Sequence, residues 1–138
     1  MDGSLSQQAW LETFLAAHEG VAGTVHIARG DLHLTARHNI PDPVAAAVAR
    51  VAPGKGMAGI AQATKAPVQT CNLQRDDSGS VQPGARAVAA QAAIALPVFD
   101  GDGEVRAVVG VAWVGEREIG STEEQALVQA AATLPQQA

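Results

Sequence analysis

The stretch from Ala92 to Val114 constrains the fold more than any other part of the chain. Ala92-Ala93-Ile94-Ala95-Leu96-Pro97-Val98-Phe99 is nearly continuous in apolar residues, Asp100-Gly101-Asp102-Gly103 reads as a turn, and Val105 to Val114 carries Val108, Val109, Val111 and Trp113. β-Branched and aromatic residues favour extended backbone while Gly and Asp favour reversal, so the two runs form an antiparallel hairpin. The turn lacks the further ligands of a calcium loop. A second hairpin spans 24–38, with Gly30-Asp31 as its turn. That register pairs Arg29 with Leu32, Ile27 with Leu34 and Val25 with Ala36, and gathers the apolar side chains on one face. His26, Ala28, His33 and Thr35 then share the other, as a solvated or helix-covered polar face. Two histidines fall short of the three or four ligands that zinc takes.

Helical spacing surrounds these strands. Trp10, Leu11, Phe14, Leu15 and His18 form a stripe behind Ser4 and Ser6, which can cap the first turn, and the helix ends near Gly20. The stripe holds scarce large residues and docks on a sheet or on a second subunit. Asp42-Pro43 reads as N-cap and first helical residue of a short helix through Val44, Val48 and Val51, stopped by Pro53-Gly54. Gly54-Lys55-Gly56-Met57-Ala58-Gly59 is a glycine-rich turn that runs into a small-residue helix ending at Lys65-Ala66-Pro67, and Val68 to Cys71 reads as a strand. Ser121-Thr122-Glu123-Glu124 matches a capping box ahead of the stripe Ala126, Leu127, Ala130, Ala131 and Leu134, with Pro135 as the stop. Residues 72–91 have no sustained period, and a connection this long in a small domain is expected to be a binding lid or disordered. It concentrates Asn72, Arg75, Asp76, Asp77, Ser78 and Arg86.

Composition limits the function classes. The 138 residues suit one domain, 1–138, structured over about 8–134. Ala supplies 29 of the 65 apolar residues, so the core must be small and tight. The formal charge of −5 argues against nucleic acid and anionic membrane as partners. No window approaches a membrane span, no basic leader precedes an apolar run, and the single Cys71 cannot form an internal disulfide, which together predict a cytoplasmic protein. The charge is unevenly spread: residues 21–99 hold seven bases against four acids, so this segment is the one able to hold an anion. Gly54-Lys55-Gly56 is not a Walker loop, because the spacing and the hydroxyl residue after the Lys are missing. The N-terminus of the helix that follows can still present free N–H groups to a small anion. No cofactor or metal is assigned.

The order of elements implies an α+β domain: an antiparallel sheet of about five to six strands flanked by N- and C-terminal helices. The chain resembles a stand-alone GAF domain, with a GAF/PAS-like sheet. The resemblance rests on Pro53-Gly54-Lys55-Gly56-Met57-Ala58-Gly59, Ala66-Pro67-Val68, Ala93-Ile94-Ala95-Leu96-Pro97-Val98, the Asp100-Gly101 turn and Val109-Gly110-Val111. It implies a sensor that binds a small polar, anionic ligand, such as nitrate or an amino acid, and signals to a histidine kinase or a transcription regulator. The candidate ligand-binding residues are Lys55, Met57, Ala58, Cys71, Asn72, Arg75, Asp76, Ser78 and Arg86. Arg75 or Arg86 would pair with the anion, Asp76 or Asn72 would orient it, and Met57 and Ala58 would form the wall. The terminal helices would pack together, as a homodimer interface in one form of the reading. An alternative is an interaction and dimerisation module with an empty pocket. A further alternative follows from similarity to free methionine sulfoxide reductases, but Cys71 has no second cysteine to resolve a sulfenic acid. A bilin photosensor would need more aromatic residues than the four Phe and Trp present.

Overall fold

The computed structural model describes residues 6–70, 91–115 and 118–135. Its elements run α1 (Gln7–Ala17), β1 (Ala22–Arg29), β2 (Asp31–His38), α2 (Asp42–Ala47), β3 (Arg50–Val51), α3 (Gly56–Thr64), β4 (Val68–Thr70), β5 (Ala92–Phe99), β6 (Val105–Trp113) and α4 (Ser121–Ala131). The strands form one antiparallel sheet in the order β3-β2-β1-β6-β5-β4. The fold is therefore α+β, with helices on both sheet faces. The β5–β6 hairpin lies inside the sheet and is covered on both sides, which is why its sequence is almost unbroken in apolar residues.

The two faces are packed differently. On one, α1 and α4 bury Trp10, Leu11, Phe14, Leu15, Leu127 and Ala131 against the bulky side chains of the sheet, among them Val25, Ile94, Leu96, Val109, Val111 and Trp113. The rings of Trp10 and Phe14 stack with centroids 4.8 Å apart. The aromatic stripe of α1 thus docks on the chain's own sheet. Polar bonds fix the two terminal helices in place: Trp10 Nε1 donates to Thr133 Oγ1 at 3.0 Å, and Gln7 Nε2 donates to the Pro135 carbonyl at 2.8 Å. The Thr35 hydroxyl donates to Gln7 Oε1. The other face is covered by α2 and α3, and its clusters are built largely from Ala, Val and Leu.

Three local expectations are corrected. In the β1–β2 hairpin, Gly30 at φ +75° makes the reversal, with Arg29 opposite Asp31 and Ala28 opposite Leu32. The register beside the turn is therefore one residue off the expected one, and a bulge at Thr35 restores the pairing of Val25 with Ala36. A one-residue slip turns side chains to the opposite face. His26 and His33 consequently do not share a polar face; His26 is buried under α2. The second correction is at α2, which stops at Ala47 instead of reaching Val51. Arg50 and Val51 pair with β2 as β3, and Arg50 Nε meets Asp31 Oδ2 at 2.7 Å. Backbone pairing along the open edge of β2 outweighs further helix there; the Leu34 N–H also bonds the Ala49 carbonyl at 2.9 Å. Asp42 is the first helical residue rather than the cap, and pairs with Arg37 at 2.8 Å. The third correction is at α4, where Gly120 is the N-cap and Ser121 makes no capping bond. The Glu124 carboxylate, needed for a capping box, instead accepts from Gln69 Nε2 at 2.8 Å.

Candidate functional site

The glycine block builds the site from its rim inward. Gly54 at φ +82° and Gly56 at φ +62° turn the chain into α3 in a backbone region that L side chains rarely adopt. Gly59 then lets α3 press on the incoming strand: a Cβ there would stand 2.5 Å from the Ala52 carbonyl oxygen, and the Gly54 N–H closes the turn on the Gly59 carbonyl at 2.7 Å. Lys65, left-handed at φ +58°, ends the helix. Ala61, fully buried, packs in one cluster with Leu32, Ala95 and Val108, so α3 lies close on the sheet.

Beneath α3 the sheet is stripped of bulk. Ala22 stands opposite Ala112, and Ala112 opposite Ala93. In the next row Thr24 stands opposite Gly110, and Gly110 opposite Ala95. These two cross-strand rows are the floor of a cavity of about 140 Å³ whose walls include Ile40, Met57 and Ala58. On the reverse face the same strands carry Ile94, Val109 and Val111. Bulky and small residues alternate along β5 and β6, and the alternation leaves room on one face alone.

The chemistry of this lining is sparse. No charged residue lines the cavity among the described residues. Thr24 supplies a hydroxyl, and Gly110 keeps space in front of it, since a Cβ at 110 would lie 2.7 Å from Thr24 Oγ1. The arrangement suits the apolar body of a small ligand with a single hydrogen bond to the floor. No group of three or more His, Cys, Asp or Glu side chains that could hold a metal ion exists among the described residues. The turn at 100–103 uses its own aspartate: Asp100 Oδ1 accepts from the N–H groups of Asp102 and Glu104 at 2.8 and 3.0 Å.

Of the residues singled out from sequence, Met57 and Ala58 line the cavity. Lys55 is the exposed N-cap of α3 and does not belong to the lining. Cys71, Asn72, Arg75, Asp76, Ser78 and Arg86 lie outside the described residues. The floor residues Ala22, Thr24, Ala93, Ala95, Gly110 and Ala112 escaped sequence reasoning. Their signal was the period-two alternation with Ile94, Val109 and Val111, which becomes a site only once three strands are in register.

A protein-family model described as "GAF domain" matches residues 7–138. The chain belongs to the GAF domain family. Comparison with curated protein sequences finds no significant match. Among solved structures, the GAF domain from an Acinetobacter phosphoenolpyruvate-protein phosphotransferase superposes with a TM-score of 0.74 at 15% identity, covering 96% of this chain and 82% of that one. A type II free methionine-R-sulfoxide reductase from Thermoplasma acidophilum gives 0.70 at 17% identity, with 92% and 87% covered. A domain from Sinorhizobium meliloti 1021, described as part of a two-component sensor histidine kinase protein, gives 0.71 at 13% identity, with 93% and 84% covered. At these identities the likeness is one of fold. The GAF fold supports a small-molecule-sensing or interaction domain. Among the described residues no helix is long and apolar enough to cross a membrane.

Proposed function

We propose that this GAF domain is a sensory module that binds a small polar ligand, anionic at one end, and signals its presence to a regulatory partner. The observation that carries the reading is the floor of Ala and Gly beneath Met57 and Ala58, in a molecule whose other sheet face is filled by Val, Ile, Leu and Trp. The ligand's apolar part rests on this floor and its hydrogen-bonding group meets Thr24. Its charge is met by Lys55, two residues before Met57, and by Arg75 and Arg86. The ligand acts by favouring the conformation it fits better. Likeness in fold to domains of a phosphotransferase and of a sensor histidine kinase protein supports a signalling partner of that kind.

The test is a thermal-shift series with nitrate, phosphate, free amino acids, methionine sulfoxide and cyclic nucleotides. A true ligand at about 100 times its Kd adds about 2.7 kcal/mol of stability, a rise of several degrees. Ala93→Leu, which fills the floor, abolishes the rise, and removal of Lys55, Arg75 or Arg86 weakens it for an anion. A series with no saturable rise sinks the ligand reading in favour of an interaction module with an empty pocket. The reductase reading is kept by the fold likeness to the Thermoplasma enzyme. Turnover of free methionine sulfoxide that disappears in Cys71→Ser would establish it.

A further inference from the structure

His26 is the buried titratable side chain of the described residues, with 3% of its surface exposed. It lies on β1, two residues from Thr24 and on the same face of the strand. Its Nε2 is 2.8 Å from the Val48 carbonyl oxygen. A carbonyl only accepts, so Nε2 carries the hydrogen and Nδ1 is the bare nitrogen. Nδ1 is buried and has no hydrogen-bond partner among the described residues. A proton placed there creates a donor without an acceptor and a charge out of water, both costly.

What covers His26 is thin. Val48 caps α2, a helix of six residues, and the chain continues into β3, a strand of two. Val44 and Ala45 are buried, whereas Pro43, Ala46, Ala47, Ala49 and Arg50 are exposed. Val44 rests on Ala22, Ala93 and Ala112, and Ile40, just before α2, is a wall of the cavity. Short elements with few buried contacts open locally before the core does.

We propose that His26 is an acid-released latch on this cover. Neutral, it ties Val48 to β1. Protonated at Nδ1, it reaches water only if α2 and β3 lift, which opens the Ile40 side of the cavity. Among the described residues nothing nearby can accept the new charge in place. The neighbouring elements offer His33 on β2, Arg50 on β3 held by Asp31, Asp42 on α2 held by Arg37, and at the two ends of α3 Lys55 and Lys65, the latter held by Glu104. On β1 itself Arg29 is exposed, and β6 places Val108 opposite His26. None forms an ion pair with His26 among the described residues. Burial holds the imidazole below its usual 6.5, against a smaller opposing effect of the Val48 bond, and His33 lowers it further. The sign follows: the unfolded or opened form binds the proton first, so the latch is complete above about pH 6.5 and weakens as the pH falls below it.

The opening needs no ligand and can be read in the free protein. Amide hydrogen exchange of the full chain, corrected for intrinsic rates, is compared at pH about 7.5 and about 5, with the N–H groups of Leu34, Ala45 and Val48 as reporters and β5–β6 as reference. The wild type should lose at least about tenfold protection at the reporters in acid, with β5–β6 unchanged. His26→Gln, which keeps a side-chain N–H for Val48 but does not titrate, should show no such loss. An equal response in both proteins, no response in the wild type, or a loss spread over β5–β6 overturns the latch. If His26→Gln does not fold, ¹⁵N NMR of the wild-type imidazole decides. A bare Nδ1 that titrates below 6.5 together with Val48 exchange supports the latch, and titration at or above 6.5 overturns it.

Discussion

Gly59 has no room for a side chain, because a Cβ would press to 2.5 Å on the Ala52 carbonyl oxygen, a backbone atom that cannot swing away. Gly59→Ala should therefore destabilise the fold by about 1–3 kcal/mol, the range for forced overpacking, despite the better helix propensity of Ala. Urea denaturation gives the value, and a neutral result would mean that α3 sits farther from the 52–54 turn. Gly110 differs in kind, since its hypothetical Cβ meets the end of the Thr24 side chain rather than backbone. The small residues of this chain thus have two separate uses. Gly59 permits close backbone contact, and the small side chains of Ala22, Ala93, Ala95, Gly110 and Ala112 leave room for the cavity.

Helix ends separate local from distant causes. Ser6 caps α1, its side-chain oxygen accepting from the Ala9 N–H at 3.1 Å, while Ser121 makes no capping bond. Ser6→Ala should cost about 1 kcal/mol and Ser121→Ala close to nothing, a contrast that paired thermal melts would resolve. The same contrast explains what was legible in the sequence. The α1 stripe, the glycine block and the β5–β6 hairpin could be read because their signals lie within a few residues of one another. The capping box misled because Gln69, far away in sequence, holds Glu124. β3 was missed because two residues carry no period and gain their structure from the edge of β2. Near Gly30 a turn one residue tighter than expected turned His33 away from His26, and only the bulge at Thr35 brought Val25 and Ala36 back opposite each other. For the candidate site, Met57 and Ala58 were visible beside their glycines. The floor was not, because Ala and Gly read as composition until β1, β6 and β5 are aligned.

Across the whole molecule the sheet divides the labour: one face, closed by α1 and α4, carries the large side chains, and the other carries the cavity and its light cover of α2 and α3. Stability and response can therefore be altered separately. Truncation of Leu11, fully buried on the closed face, falls in the range of about 2–5 kcal/mol without touching the cavity lining. The bond from Gln7 to the Pro135 carbonyl has one more consequence. Positions 128 residues apart in sequence are adjacent in space, so a short flexible bridge can join them and the chain can be reopened at the exposed Gly101–Gly103 turn. Such a circular permutant should keep the native circular dichroism spectrum and melt cooperatively. The new termini would then emerge from the exposed β5–β6 turn, where a fused reporter could be attached.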